Sequence, residues 1–554
     1  MKKLYMVLLT VLILAGVVFQ GVGMFRSGFL YNYGIGYFGP LARDGVWHEA
    51  LVNQLKLMVP PQNPGFAGQT LSNYHYFYDL SVAKISQIIT ISPQFLIYRF
   101  FPFIFSILLG ICTYILAKRL FNNKTVSIFA VFFAYFASSF GWIVNLIKGE
   151  QIGGESAFWA NQPISMNLNP PYAMSLIVII FAIILLDLYL KKPNVVKGLI
   201  LSVLIGLLVG IKAYAGAIAL SALFCLMVKK ILFDKDFSLL PVFALASAIF
   251  LTVYLSISRG AAGLIGFQPL WLIDTMIDAG DRVGIPNFTA RRFAYIGGHK
   301  WINYAAVELI CLLIFFVGNL GTRIISLWGI SKKYFKDDLH LFIFGLMGAS
   351  VIPTLLFVQK GNPWNIIQFF YYFLFFAGLY AANSLKKFAT PAIIAIILIT
   401  PISSVATFRG LLYPNPPAYL PTGEYQALNF LKKEAPGTIL KHPFDPNLRG
   451  NFKDPYPLSV YADNTYVSAY SGKSVFIEDA EQQIILDTDY QGRLDEANRF
   501  FVEKDLSWSK KFLKEENVRY IYLPKIYHLP AAEQEYPITK IFENSDVNIY
   551  QVNQ

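Results

Sequence analysis

About eleven apolar runs, most of them close to twenty residues long, constrain this chain more than any other feature. A helix needs roughly 20 apolar residues to cross about 30 Å of hydrocarbon, and inside a bilayer it must satisfy its own backbone. The runs fall at 4–22, 100–117, 126–147, 173–190, 197–211, 213–228, 239–257, 302–322, 339–358, 366–385 and 388–407. They predict a polytopic α-helical membrane protein with about 11 transmembrane helices. The fifth and sixth runs are short and meet at Lys212-Ala213-Tyr214, which fits a tight hairpin or a partly broken pair. Met1-Lys2-Lys3 and the apolar run behind it have the look of a signal peptide. The run is nearer a spanning length, however, and no small-x-small site precedes Arg26, so an uncleaved first helix is expected.

A net charge of +12 would suit nucleic acid if it formed one basic face. Here the Lys and Arg residues stand in short clusters between apolar runs, which is a topology signal instead. With Lys2 and Lys3 inside, alternation also puts inside Lys118, Arg119 and Lys124; Lys191, Lys192 and Lys197; Lys229, Lys230 and Lys235; Arg323, Lys332, Lys333 and Lys336; and Lys386 and Lys387. The N-terminus is then in, the C-terminus is out, and the long loops 23–99, 148–172 and 258–301 are extracytoplasmic. The expected location is a cell membrane, crossed many times and in contact with its lipids, with no nucleic-acid partner. Cys112, Cys225 and Cys311 lie singly in apolar runs, which supports neither a disulfide framework nor a zinc site.

Two domains follow from this pattern: a transmembrane module over 1–407 and an extracytoplasmic α/β domain over 408–554. Pro414, Pro416, Pro417 and Pro421 mark the linker between them. In the tail, Gly423 to Lys433 reads as an amphipathic helix and Val518 to Leu523 as a buried strand. At about 145 residues the tail is long enough for its own core. The first external loop is expected to carry two amphipathic helices lying on the membrane surface. One spans Asp44 to Met58, with Val46, Ala50, Leu51, Leu55 and Met58 as its apolar stripe; the other follows Asn73 to Asp79.

The polar density of Arg43-Asp44-Gly45-Val46-Trp47-His48-Glu49 is uncommon in so apolar a chain. At an external membrane interface Asp44 fits a base that accepts a proton from an acceptor hydroxyl or amine; the alternative is an N-cap for the helix that follows. His48 and Glu49 fit helpers of Asp44. Asp44 and Glu49 also fit ligands of a divalent cation, Mg²⁺ or Mn²⁺, and the other reading of His48 and Glu49 is a satisfied interfacial pair. His75 and Asp79, four apart, fit a substrate-binding pair or a headgroup anchor in an aromatic belt. Lys212 interrupts an apolar region, where a charge is expensive and functional by default; it fits a phosphate ligand or a snorkelling lysine. Arg259, Arg291 and Arg292 suit a phosphate or pyrophosphate leaving group, against the reading of a solvated loop of mixed charge. No Walker loop, Rossmann glycine pattern or nucleophile elbow is found.

The acidic motif in the first loop, the amphipathic stretches around it, the many-span core and the α/β tail together resemble the GT-C glycosyltransferases. That class includes protein O-mannosyltransferases, aminoarabinose transferases of lipid A and oligosaccharyltransferases. The phrase Gly206-Leu207-Leu208-Val209-Gly210-Ile211-Lys212-Ala213-Tyr214-Ala215-Gly216 is similar to a segment of prokaryotic members. The resemblance implies an inverting transfer of a sugar from a polyprenyl-phosphate donor to a lipid, glycan or protein acceptor, with Asp44 as base. Several members carry two adjacent acids, whereas here Gly45 follows Asp44 and the next acid is Glu49. The rival classes are a lipid-linked glycan flippase or exporter and a non-catalytic envelope assembly protein. An exporter would be expected to show repeat symmetry and midplane polar residues, and the sequence has no internal repeat.

Overall fold

The computed structural model describes residues 2–160, 162–258, 265–285, 287–412 and 415–553. The chain gathers into two compact units. One comprises Met1–Val22, Pro102–Ser256 and Ala262–Leu412; the other comprises Gly23–Phe101, Ile257–Ala261 and Tyr413–Gln554.

The first unit is helical. Among the described residues nine helices are long and apolar enough to cross a membrane, from Lys3–Phe25 to Thr390–Leu411. Each coincides with an expected span, and the two remaining expectations are modified. The run at 126–147 is a pair, Lys124–Phe136 and Gly141–Ile147, bent by 49°. The run at 197–211 is a helix of 17 residues, Val195–Ile211, shorter than a full crossing. The bend has an identifiable cause in its hydrogen bonds. Backbone groups released at 137–140 find partners elsewhere: the Ser138 N–H and hydroxyl both donate to the Thr400 carbonyl at 3.1 and 2.6 Å. The Ser139 N–H donates to the Glu155 carboxylate at 3.2 Å. At Lys212 the chain is extended, so Val195–Ile211 and Ala213–Lys229 are separate helices that pack on each other as the expected hairpin.

The second unit departs from the expected division at 407/408. Its first sheet interleaves loop and tail: Phe29–Tyr31 pairs antiparallel with Gly34–Tyr37, which pairs antiparallel with Ala418–Pro421, which pairs parallel with Tyr456–Pro457. Gly34 turns this hairpin with φ at 125°, and a Cβ there would lie 1.9 Å from the Leu420 carbonyl oxygen. The second sheet belongs to the tail alone, with Val518–Pro524 between Thr438–Lys441 and Val547–Val552, and Ile538–Glu543 at the edge. The strand expected at 518–523 is therefore present and buried, and the expected amphipathic helix is Thr422–Lys433.

Phe66 of the loop lies in the tail's own core, with Leu440, Phe476, Phe500, Ile521 and Tyr550. Burial of one such ring stabilises by about 1.5–3 kcal/mol. Backbone bonds from Ala67 N–H to Val475 O and from Glu478 N–H to Gly65 O, each 2.9 Å, fasten the same segment. The loop is thus a structural part of the α/β unit.

The two loop helices are present as Asp44–Leu57 and Phe77–Ile89. The expectation that they lie on a membrane surface fails for the first. Every residue from Gly45 to Val52, with Gln54 and Leu55, is buried, because the helix is packed against Phe77–Ile89 and against Tyr466–Ser471 of the tail. Of the stripe that reads as membrane-facing in the sequence, Val46, Ala50, Leu51 and Leu55 are covered by protein and Met58 at its end is exposed.

Candidate active site

The helix Asp44–Leu57 positions the motif. Its N-cap is Arg43, without a side-chain capping bond, and Asp44 is already helical, so the N-cap alternative for Asp44 does not hold. In the first turn a carboxylate is favoured by the helix dipole. Asp44 is exposed, while the six residues after it are all buried.

His48 and Glu49 point inward. The Glu49 carboxylate accepts hydrogen bonds from the hydroxyls of Tyr98 and Tyr37 at 2.7 and 3.0 Å and from the Gln94 amide at 2.7 Å. Burial pushes its pKa above the usual carboxylate range, against the pull of those three donors. Tyr37 is hydrogen-bonded in turn to Tyr470 of the tail. This arrangement explains Gly45. A Cβ at that position would stand 2.5 Å from the Tyr98 hydroxyl on its way to Glu49, so a second acid beside Asp44 has no room.

His48 Nδ1 lies 2.7 Å from Asp79 Oδ1, and both residues are buried. Burial pushes Asp79 upward in pKa, opposed by His48. The expected His75–Asp79 pair is not formed within one helix. His75 precedes Phe77–Ile89 and stacks on Tyr74 at 5.0 Å between ring centres.

A metal held jointly by Asp44 and Glu49 does not fit these positions. Five residues along a helix turn the two side chains roughly 140° apart, and Glu49 is enclosed by its three donors. Among the described residues no group of three or more His, Cys, Asp and Glu side chains is arranged to hold a metal ion.

Beside Asp44, sequence reasoning missed the contribution of the tail. Arg43 donates to Asp479 at 3.2 Å and to Glu481 at 2.5 Å. Asp463 accepts from the backbone N–H groups of Asp479 and Ala480 at 3.1 and 2.7 Å. The acids Glu478, Asp479 and Glu481 after the apolar run Val475-Phe476-Ile477 are visible in the sequence, but nothing there links Asp479 and Glu481 to Arg43. Burial pushes Asp479 up to about 7, against Arg43, and pushes Glu478 up to about 7, against Lys441.

The sign of the consequence follows from linkage. Both folded pKa values lie above the ordinary carboxylate value of about 4. Between pH 4 and 7 the folded chain therefore binds more protons than the unfolded chain, and stability falls as pH rises through that window. The melting temperature of the full-length protein in detergent is expected to fall from pH 4.5 to 7.5, and Glu478→Gln is expected to make that fall shallower. An unchanged slope in Glu478→Gln would show that this carboxyl does not contribute.

The expected phosphate ligands belong to the helical unit, except that Arg259 lies outside the described residues. Lys212 is 4% exposed; its ammonium donates to Asn169 Oδ1 at 3.3 Å and stands 5.2 Å from the centre of the Tyr214 ring. Asn169 donates to Gln368 at 3.2 Å, one helical turn from Trp364. Arg282, not singled out in the sequence, lies 4.0 Å over Trp159 and 5.2 Å from Trp364, and donates to the Ser156 carbonyl at 3.1 Å.

Arg291 is exposed. Arg292 is not a loop cation open to phosphate: it is 6% exposed and faces Asp278, Asp274 and Glu308, the last two at 3.6 and 3.8 Å. Three carboxylates around one guanidinium oppose an incoming anion.

No protein-family model matches the chain, and no curated protein matches it. Solved structures do. An oligosaccharyltransferase of Archaeoglobus fulgidus, tethered to an acceptor peptide with an NVT sequon, aligns with 94% of this chain and 69% of its own, at a TM-score of 0.50 and 13% identity. The same enzyme in complex with Zn and sulfate aligns with 93% and 68%, at 0.50 and 13%. The arabinofuranosyltransferase AftD from mycobacteria aligns with all of this chain and 40% of its own, at 0.50 and 11%. The chain shares the fold of these membrane-protein structures, a polytopic helical module with strands in the tail.

Proposed function

We propose that this chain transfers a sugar from a polyprenyl-phosphate donor to an acceptor hydroxyl or amine at the outer face of the membrane, with Asp44 as the base. One observation carries the reading: on a GT-C fold, Asp44 is the exposed carboxylate of a motif whose following residues are buried. In the reaction the acceptor oxygen or nitrogen forms a bond to the anomeric carbon. The bond from that carbon to the phosphate oxygen breaks, Asp44 takes the acceptor proton, and the lipid phosphate departs with both electrons. Attack opposite the leaving group inverts the anomeric centre. His48, Glu49 and Asp79 support the motif from within the fold, and His75 stays a candidate acceptor contact.

Lys212 is assigned to the donor phosphate. A lysine in an apolar region is a functional candidate, and the charge of its ammonium, on Asn169, suits a departing phosphate. Arg282 and Arg291 are further cations available to that phosphate, and Arg292 is not. Lys212→Met is expected to raise the donor KM by about 10- to 100-fold, the scale of one hydrogen bond to a charged group, with recovery in Lys212→Arg. A donor KM unchanged in Lys212→Met would remove the assignment.

The function as a whole is tested with purified protein and a panel of polyprenyl-phosphate sugars, following sugar release and transfer to hydroxyl, amine and peptide acceptors. Release dependent on the protein and on the lipid phosphate is the expected result. If no donor is bound or turned over across a broad panel, the transferase reading fails and an exporter or assembly role takes its place.

A further inference from the structure

The helix Phe288–Gly297 buries only one of its ten residues, Arg292. It ends in a turn closed by bonds from the Gly298, His299 and Lys300 N–H groups to the carbonyls of Ala294, Ile296 and Tyr295, at 2.9, 3.1 and 2.8 Å. The membrane-spanning candidate Trp301–Gly329 starts at the next residue. Arg292 lies 3.8 Å from Glu308 and 3.5 Å from the Cys311 sulfur, so the helix runs back along the first turns of that span as a hairpin. A ten-residue helix is marginal by itself and takes its stability from the surface it buries. One buried arginine supplies little of that surface, and the rest of the hairpin is open: Phe293 is 71% exposed, Trp301 57% and Ile302 87%. Apolar surface left bare in this way marks a contact with protein or with membrane.

Length and charge decide between the two. The span Trp301–Gly329 has 29 residues, which at 1.5 Å each make about 44 Å. That matches the roughly 40–45 Å of a bilayer with both headgroup layers rather than the roughly 30 Å of its hydrocarbon. With Lys332 and Lys333 just beyond one end, Trp301 at the other end falls among headgroups, where Trp and Tyr are enriched. Tyr304 meets Trp301 edge-on there, 6.5 Å between ring centres. Between Asp281 and Glu308 the sequence has no acid, while Arg282, Arg291, Arg292 and Lys300 are basic. Arg292 is matched by Asp274, Asp278 and Glu308; Arg291 and Lys300 are exposed. Bare apolar side chains edged by cations, on a segment with no carboxylate of its own, complement a surface of anionic headgroups.

We propose that the hairpin formed by Phe288–Gly297 and the start of the span is a docking surface for anionic phospholipid. Phe293, Ile296 and Ile302 sit among the upper methylenes of the acyl chains, and Arg291 and Lys300 meet the headgroup phosphates. Arg292 is the pin that ties the two arms together and takes no part in the lipid contact. The partner is the bulk lipid around the protein, so the proposal stands or falls separately from the transferase reading.

The test uses the full-length protein in nanodiscs that contain either brominated phosphatidylglycerol or brominated phosphatidylcholine in otherwise equal mixtures. An environment-sensitive fluorophore is placed on Phe293→Cys or on Ile302→Cys, each in a Cys225→Ser chain, because Cys225 is exposed whereas Cys112 and Cys311 are buried. Both labelled positions are exposed, and the melting temperature checks that each variant folds. Both brominated lipids are expected to quench the label, with a relative binding constant about fivefold in favour of phosphatidylglycerol, the effect of about one cation at an anionic surface. Arg291→Gln combined with Lys300→Gln is expected to bring that preference within about twofold while quenching by phosphatidylcholine persists. A label that neither lipid quenches at either position overturns the proposal and leaves an acidic protein as the occupant. Equal quenching by the two lipids in the parent chain overturns it as well, and so does a preference that survives the loss of both cations.

Discussion

Asp44→Asn is expected to lower turnover by about 10²- to 10⁴-fold, the usual contribution of a positioned general base, with donor affinity within about threefold of wild type. Asparagine keeps the shape of the side chain and its place in the first helical turn, but it has no basicity. The exposed position makes the substitution a chemical rather than a structural probe. Losing a charge beside the helix dipole costs about 0.3–1 kcal/mol, and the buried residues from Gly45 to Val52 are untouched. The measurement is a comparison of kcat and donor binding in the two proteins, with the melting temperature as the control for folding. A kcat that stays within threefold of wild type removes Asp44 from the chemistry, whatever the fold.

The distinction between chemical and structural members of the motif was only half legible in the sequence. The polar density from Arg43 to Glu49 stands out, but one dimension gives the angle around a helix and not what covers each face. His48 and Glu49 are buried because Asp79, Tyr37, Gln94 and Tyr98 converge on them from other parts of the loop. The span pattern was far easier to read, since crossing hydrocarbon requires a length and an apolarity that each segment carries on its own. What could not be read was pairing between distant segments. The strand Gly34–Tyr37 finds its partner at Ala418–Pro421, and Arg43 finds its acids at Asp479 and Glu481. Hence the expected border at 407/408 is displaced: the first loop shares a sheet and a core with the tail. Arg292 illustrates the same limit with opposite sign, because its charge invites a phosphate until Asp274, Asp278 and Glu308 are seen around it.

The second large effect is expected at Glu49, and it is an effect on folding. Glu49→Ala leaves the Tyr37 and Tyr98 hydroxyls and the Gln94 amide facing a cavity in a buried site. Tyr37 keeps Tyr470, while each donor left without a partner costs about 1–3 kcal/mol, so a loss on the order of 3–5 kcal/mol is expected, a large share of the 5–15 kcal/mol that typical folds possess. The damage should reach the tail through the Tyr37–Tyr470 contact and appear as faster limited proteolysis between residues 413 and 554. Glu49→Gln is the informative partner of this variant. It keeps an acceptor oxygen and the volume of the side chain, so it should cost about 1 kcal/mol and hold turnover within about threefold. A catalytic Glu49 gives the reverse pattern, in which Glu49→Gln folds normally but loses turnover as severely as Asp44→Asn. Measured side by side, the two glutamate variants therefore decide whether the second acid of the motif acts on substrate or holds Tyr37 and Tyr98 in place beside the helix that presents Asp44.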